Sequence, residues 1–186
     1  MEKAFGWIGE IFQSLLKLLP WLVIVPATHG GVAFVRGYRV KEWKPGLHWY
    51  WPVATTYKLM ATVRQTQMIQ SKVVMTKDLK TVIVGALVTY TVDDVVAAIA
   101  RIADLPSDIM ERSQGAILTV VSENTLEEIQ SDRISFNKNV TERVSGVLNG
   151  YGVYILQAQL TEFAPCRAFS INGHAAVGQY HLWTGF

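Results

Sequence analysis

The 186-residue sequence has little of several features that common classes of protein require. It contains one cysteine, Cys166, so an internal disulfide is excluded and a reducing compartment is favoured. Charged residues make up only 17% of the chain and hydrophobic residues 50%, which excludes a disordered protein. The apolar N-terminus is interrupted by Glu10 and Lys17, so it falls short of the ~20 apolar residues of a clean transmembrane helix.

Sequence motifs of catalysis are also missing. No GxSxG, HExxH, Walker A or GxGxxG pattern occurs. The four histidines, which are spread along the chain, lack the close pairing or the cysteine pair of a zinc site: His29, His48, His174 and His181. The sequence therefore predicts a protein that is not an enzyme and that holds no cofactor and no metal ion.

The most regular pattern lies in residues 71–94. Two apolar, β-branched arms, residues 68–75 and 81–92, flank the polar turn Thr76–Lys80. In the second arm every even position from Val82 to Val92 is apolar, whereas the odd positions are mixed. Because side chains alternate across a strand, this pattern predicts a β-hairpin in mid-sheet, with one face of its second arm buried and the other partly covered.

Further strands are predicted on both sides of this hairpin. They comprise residues 30–40, with Val32, Phe34 and Tyr38 directed inward, then 57–64, and finally 151–163. In the last of these, the alternation places four residues on one face: Tyr154, Leu156, Ala158 and Leu160.

After Asp93 and Asp94 the apolar period changes from two to about three and a half, which predicts helices. The first covers residues 95–102, and the second begins near Pro106. Thr125 and Glu128 have the spacing of a capping box. A longer helix follows, with one apolar face formed by Phe136, Val140, Val144, Val147 and Leu148.

Residues 1–25 predict an amphipathic helix that lies in, or re-enters, a membrane. A signal peptide and a plain core helix are the alternatives. The residues expected to contact the membrane share an apolar side chain within this segment: Trp7, Ile8, Ile11, Phe12, Leu15, Leu16, Leu19 and Trp21.

A second lipid contact is predicted at residues 47–51, as a loop between Pro45-Gly46 and Pro52 that projects Trp49, Tyr50 and Trp51. The alternative is that this loop folds onto its own core. Residues 26–65 carry six basic residues against one acidic residue, whereas residues 66–186 carry nine against twelve. This placement favours an anionic lipid surface, which four residues are expected to contact: Arg36, Arg39, Lys41 and Lys44.

The order of these parts resembles the SPFH, or band 7, domain of stomatins, prohibitins, flotillins and Hfl-type membrane proteins. The matching pieces share their order and spacing with that family: Val25-Pro26, Gly31-Val32, Pro45-Gly46-Leu47-His48 with Pro52, Thr76-Lys77-Asp78, residues 88–93, residues 126–129 and Gly150-Tyr151-Gly152-Val153. The resemblance implies an α+β fold in which helices pack on a mixed, largely antiparallel sheet, preceded by a membrane-associated helix. It divides the chain into an anchor (1–25), an SPFH-like domain (26–165) and a tail (166–186).

The tail departs from the family, which usually continues into a coiled coil at this point. Residues 166–186 carry one charge, Arg167, and show no heptads. The tail is expected to dock on a neighbouring subunit through its apolar and aromatic residues, among them Tyr180, Leu182, Trp183 and Phe186.

The expected function is a non-enzymatic scaffold on the cytoplasmic side of a membrane. It would form a homo-oligomeric ring or cage that organises lipids or partner proteins, with other membrane proteins or a protease as candidate partners and no nucleic acid. The alternative function is a structural ring subunit of a virion or a secretion apparatus. A third interpretation is a regulator of an enzyme or protease that acts through binding.

Overall fold

The computed structural model describes residues 19–166, and the remaining terminal residues lie outside it. Within that range the chain forms strands and helices in a mixed order: β1 (Trp21–Val25), β2 (His29–Val35), β3 (Arg39–Trp43), β4 (Gly46–Tyr50), β5 (Thr55–Ala61), β6 (Gln65–Met75), β7 (Thr81–Val92), α1 (Val95–Ala100), α2 (Leu105–Glu123), α3 (Leu126–Ser131), α4 (Arg133–Val147) and β8 (Val153–Pro165).

The strands form three antiparallel sheets. Their strand orders are β1-β4, β3-β2-β5 and β6-β7-β8. Helices α2 and α4 pack on the third sheet, and α1 packs on the second. This arrangement confirms the predicted α+β class with an antiparallel sheet.

Strand β7 is the centre of the molecule, and the predicted hairpin with β6 is confirmed. Its even positions from Val82 to Val92 are buried, whereas its odd positions, apart from Gly85, are half-buried, as the alternation predicts. Ile109, Ile117 and Val140 join the buried side chains of β7 in one hydrophobic cluster. Each buried Val or Ile contributes about 1.5–3 kcal/mol relative to exposure to water.

The helix boundaries follow local sequence signals. Asp94 caps α1 by accepting a hydrogen bond from the Ala97 amide. Thr125 and Glu128 form the predicted capping box at the start of α3, with each side chain accepting from the backbone amide of the other residue. Because the capped amides have no partner within their helix, these side chains satisfy them.

Strand β2 is buried on both of its faces. On one face, a Cβ on Gly30 would lie 2.5 Å from Val95 of α1, and Val32 belongs to the main core. On the other face, Ala33 packs with Val25 of β1 and Trp43 of β3 in a smaller core. The second sheet is therefore a middle layer, with the β1–β4 pair on the side opposite the helices.

Two predictions about strands and one about a helix are corrected. Residues 30–40 are not one strand, since Arg36 has a φ of +53° and Gly37 a φ of +77°, which reverse the chain between β2 and β3. Tyr38 lies in that turn and is exposed rather than directed inward. In the longer helix, Val147 is exposed although its spacing places it on the buried face, because it is the last helical residue, beyond the buried Val144.

The last strand also differs from the predicted alternation. The pairing register with β7 shifts between Thr89 and Tyr90, so Leu156 is an extra residue of β8. A β-bulge of this kind moves the following side chains to the other face of the sheet. As a result Ile155 and Ala158 are buried, whereas Tyr154 and Leu156 are exposed.

The N-terminal helix is not supported. Residues 21–25, predicted as part of the anchor helix, form strand β1, whose five residues pair with β4. Residues 1–18 lie outside the described residues, so the rest of the predicted anchor is not tested. No helix within residues 19–166 has the length and apolar character needed to cross a membrane.

Candidate functional site

Strands β1 and β4 form a two-stranded ribbon whose outer face is apolar. In the pairing register Leu22 lies opposite Trp49, and Ile24 lies opposite Leu47. Residues directly opposite each other in an antiparallel pair project from the same face. These four side chains are between 46% and 70% exposed, so they form a continuous apolar surface that no described element covers. We call this surface the ribbon face.

The opposite side of the ribbon packs on Trp43, which is 3% exposed. The ring of His48 stacks on that of Trp43 with centroids 5.0 Å apart and planes 2° from parallel. Tyr57 of β5 stacks on Trp43 at 5.4 Å, and Tyr50 contacts both rings edge-on. This aromatic cluster anchors the ribbon to the middle sheet, since such pairs add about 0.5–1.5 kcal/mol beyond the area that they bury.

The start of β4 is held by a short turn. Gly46 has a φ of +138°, a conformation that favours glycine, and Pro45 precedes it. The Nε2 atom of His48 lies 2.6 Å from the carbonyl oxygen of Lys44, which accepts its hydrogen bond. Burial, followed by the nearby Tyr57, raises the pKa of the Tyr50 hydroxyl, so this ring stays neutral on the inner side.

The four predicted basic residues lie on β3 or in the segments that flank it. Arg39, Lys41 and Trp43 occupy every second position of β3, so their side chains project from the same side of the strand. This is the side on which the ribbon packs against Trp43. Arg36 lies in the β2–β3 turn, and Lys44 connects β3 to β4. All four are exposed, and none forms a salt bridge with another of the described residues. Their charges are therefore open to an external anionic partner.

The aromatic residues predicted to contact lipid have different fates. Trp49 and Trp51 are exposed, as a lipid contact requires, whereas Tyr50 is half-buried against Trp43. The predicted projecting loop is corrected: residues 46–50 are strand β4, because backbone pairing with β1 is available. Consecutive rings of a strand point to opposite sides, so Trp49 faces outward and Tyr50 inward.

The other predicted site residues lie at or beyond the edges of the described range. Leu19 and Trp21 are exposed at the start of β1. The remaining anchor residues lie outside the described residues: Trp7, Ile8, Ile11, Phe12, Leu15 and Leu16. The predicted oligomer contacts also lie outside them: Tyr180, Leu182, Trp183 and Phe186.

Sequence reasoning missed Leu22, Ile24 and Leu47 as members of one surface. The signal was present, because Leu22 and Ile24 alternate in one segment while Leu47 and Trp49 alternate in another. The alternation is obscured because Leu22 also fits the helical spacing that begins at Ala4, and because the residues from Leu18 onward form an apolar run broken only at Pro20 and Pro26. Trp43, the centre of the aromatic cluster, was missed as well.

Among the described residues, no group of three or more His, Cys, Asp or Glu side chains is placed to hold a metal ion. A depression of about 980 Å³ is an open groove between α4 and the start of β8. The features that remain for function are the ribbon face and its basic surroundings.

The fold and this site define an α+β domain that presents an apolar ribbon beside exposed basic residues. The profile of the SPFH domain / Band 7 family matches residues 23–176, and the chain belongs to this family. Members of this family are generally membrane-associated and serve as scaffolds rather than enzymes.

The chain is similar to several proteins. An uncharacterised protein of Methanocaldococcus jannaschii is 28% identical over 165 residues, which cover 88% of this chain and 82% of that protein. An uncharacterised protein of Archaeoglobus fulgidus is 26% identical over 156 residues, which cover 84% of this chain but only 63% of that protein. A band 7 family protein of Acanthamoeba polyphaga mimivirus is 26% identical over 132 residues, 71% of this chain and 44% of that protein.

Proposed function

We propose that the protein is a non-enzymatic scaffold that docks on an anionic membrane leaflet through the ribbon face and assembles laterally with further copies. The observation that carries the proposal is the four-residue apolar surface of β1 and β4. A contiguous apolar patch on a solvent-exposed surface marks an interaction site. Removal of a large aliphatic side chain from water contributes about 1.5–3 kcal/mol, so partial insertion of these side chains supplies membrane affinity.

The composition of the surface favours a bilayer over a protein partner. Trp49 lies on the ribbon face, and Trp51, which follows β4, is exposed as well. Trp21 is also exposed, but its position opposite Tyr50 places it on the other side of the ribbon. Tryptophan prefers the interface between headgroups and acyl chains, where the ring is apolar and its N–H still finds a partner. Arg39 and Lys41 lie on the ribbon side of β3, where each basic group near an anionic surface contributes about 1 kcal/mol.

The N-terminal segment contributes a second attachment in this proposal. Residues 1–18 precede β1 by two residues. They contain most of the apolar residues that the sequence predicts to contact the membrane. A helix lying in the plane of the membrane at this position would place the ribbon face at the same depth. The folded domain would then lie along the cytoplasmic surface of the membrane.

Lateral assembly of the attached copies would organise the surrounding membrane. Copies that share one orientation on a leaflet form rings or cages through contacts between unlike surfaces. The assembled scaffold would confine lipids or partner proteins, a membrane protein or a protease among them. The tail is proposed to supply the contact between neighbours.

The test is cosedimentation of the full-length protein with vesicles of phosphatidylcholine and phosphatidylserine. The variant Ile24→Gln with Trp49→Gln removes two apolar side chains from the ribbon face without adding charge. We expect its partition into vesicles to fall by roughly tenfold or more, because ~1.4 kcal/mol of lost insertion energy corresponds to tenfold.

The matched control is Leu79→Gln with Ile134→Gln, since both side chains are highly exposed but lie in the β6–β7 turn and on α4, away from the ribbon and its basic residues. It should bind vesicles as the wild type does. Both double variants should keep the wild-type melting temperature. If the ribbon variant binds vesicles as strongly as the wild type, the ribbon face does not contact lipid and the proposal is wrong.

A further inference from the structure

The sheet β6-β7-β8 has a second face, opposite the helices, which we call the open face. The register places on it the odd positions of β7 together with their partners on β6 and β8. Those partners are Thr66, Met68, Val73 and Met75 on β6, and Tyr154, Gln157, Gln159, Glu162 and Ala164 on β8. Helices α2 and α4 pack on the buried face, and no described element covers the open face to a comparable extent.

One half of the open face is apolar. Met68, Val73 and Met75 are between 52% and 70% exposed. They lie opposite Leu87, Ile83 and Thr81 of β7, so the apolar strip runs over two strands. An antiparallel sheet with a solvated face normally alternates to polar residues there. Glu162 is the one charged residue among those that the register places on this face.

The chain leaves the sheet at the apolar end of this face. The Cys166 amide donates a 2.9 Å hydrogen bond to the Thr81 carbonyl oxygen, and Thr81 pairs with Met75. This bond continues the β7–β8 ladder as far as Cys166, at the end of the sheet where Met75 lies. Residues 167–186 follow this point.

Residues 167–186 match the open face in chemistry. They carry one charge, Arg167, and several large apolar side chains, including Phe169, Ile171, Leu182 and Trp183. The one charged residue that the register places on the open face is Glu162. The face therefore suits a segment whose single charge is basic. Twenty residues span up to ~66–72 Å when extended, whereas the distance along β6 from Met75 to Met68 is ~23 Å. The segment is therefore long enough to cover the strip on a neighbouring copy.

We infer that the open face of one copy binds residues 167–186 of a second copy. The inference rests on the lateral assembly proposed above and names the surface that joins the subunits. Each copy offers a tail and an acceptor face, which are different surfaces, so the contact is heterologous and can continue from copy to copy. Apolar contact with Met68, Val73 and Met75 holds the tail, and flexible methionine side chains adapt to its aromatic rings.

The experiment is cross-linking between two full-length variants that both carry Cys166→Ser. One carries Val73→Cys on the open face, and the other carries Leu182→Cys in the tail. After the two are mixed, a short bismaleimide linker should produce a covalent dimer that neither variant forms alone. The matched control replaces Val73→Cys with Ile134→Cys, which is even more exposed but lies on α4, and should produce far less dimer.

A single chain carrying both Val73→Cys and Leu182→Cys decides which copy supplies the tail. Dimers and longer ladders support the inference, whereas a linked monomer as the main product overturns it in favour of the tail of the same chain. Absence of any linked product overturns it as well, since the open face would then be empty or covered by another partner.

A second variant separates this inference from the proposed membrane function. Val73→Gln with Met75→Gln should shift the sizing-column profile to smaller species while the melting temperature is unchanged. Its partition into vesicles per monomer should be reduced only by the lost avidity, whereas the ribbon variant should lose partition at unchanged oligomer size. An unchanged sizing profile for Val73→Gln with Met75→Gln would overturn the inference and leave the ribbon proposal standing.

Discussion

At the scale of single residues, Asp78 joins the β6–β7 turn to the start of α3. Its Oδ1 atom accepts a 2.6 Å hydrogen bond from the Thr76 hydroxyl and a 3.2 Å bond from the Leu126 amide at the start of α3. Its Oδ2 atom lies 2.9 Å from the Lys80 ammonium. The hydrogen bond from Thr76, followed by that from Lys80, lowers the pKa of Asp78 well below its usual range.

We predict that Asp78→Asn lowers the melting temperature at neutral pH and flattens its dependence on acid. Because the pKa of Asp78 is lower in the folded protein than in the unfolded chain, ionisation stabilises the fold above the unfolded pKa. This contribution is lost as the pH falls through the folded pKa. Thermal melts from pH 7 down to the acid limit of the protein check the prediction.

Glu127→Gln is the control for this series. Glu127 is an exposed carboxylate on α3, next to Leu126, whose amide donates to Asp78. Its melting temperature should follow that of the wild type at every pH. The prediction for Asp78 is wrong if Asp78→Asn and the wild type show parallel melting curves across the acid range.

At the scale of elements, the ribbon divides its aromatic residues between core and surface. Trp43 is buried beneath the ribbon and contacts three other rings, whereas Trp49 projects from the opposite side. The two tryptophans are six residues apart in sequence but differ widely in exposure. Trp43 therefore contributes to the stability of the fold, whereas Trp49 is available for the proposed lipid contact.

We predict that Trp43→Ala destabilises the fold by about 3–5 kcal/mol, because removal of a buried aromatic ring leaves a cavity. Trp49→Ala should change the free energy of unfolding by less than about 1 kcal/mol, since its ring is largely in water. Urea unfolding monitored by circular dichroism measures both values. Equal losses for the two variants would contradict the division of the ribbon into an inner and an outer side.

At the scale of the whole molecule, the basic and acidic residues are separated along the chain. The excess of basic residues lies in residues 26–65, which form the middle sheet and β4, whereas residues 66–186 are acidic on balance. In the proposed docking, a field of this kind would orient the domain with β3 and the ribbon toward an anionic leaflet. Every copy would then hold its sheet β6-β7-β8 in the same relation to the membrane, which would favour lateral contacts.

We predict that truncation after Arg167 leaves a folded domain but dissolves the oligomer. The described core ends at Cys166, so the melting temperature should change little, while the contact between neighbours is lost. A sizing column with light scattering measures the mass of the assembly. An unchanged number of subunits per particle would show that the tail does not join neighbours.

Much of this fold could be predicted from local patterns. The period of two in β7, the capping box at Thr125 and the start of α2 at Pro106 each depend on residues close in sequence. Such patterns record which side of an element must leave water or which amide needs a partner. The β6–β7 hairpin, the helices and the family resemblance therefore follow from the sequence by itself.

Only the tertiary structure decided how distant segments combine. Strand β1 exists because β4, more than twenty residues further along, offers its backbone, and this pairing overrode the helical period of the N-terminal segment. The extra residue Leu156 changes which side chains of β8 face the core, and the alternation in the sequence of that strand does not indicate this change. The ribbon face is the sum of two short apolar pairs, Leu22 with Ile24 and Leu47 with Trp49, and it becomes one surface only through their register. Pairing between remote strands is set by packing and hydrogen bonds across the whole molecule, so local sequence predicts its ingredients but not its partners.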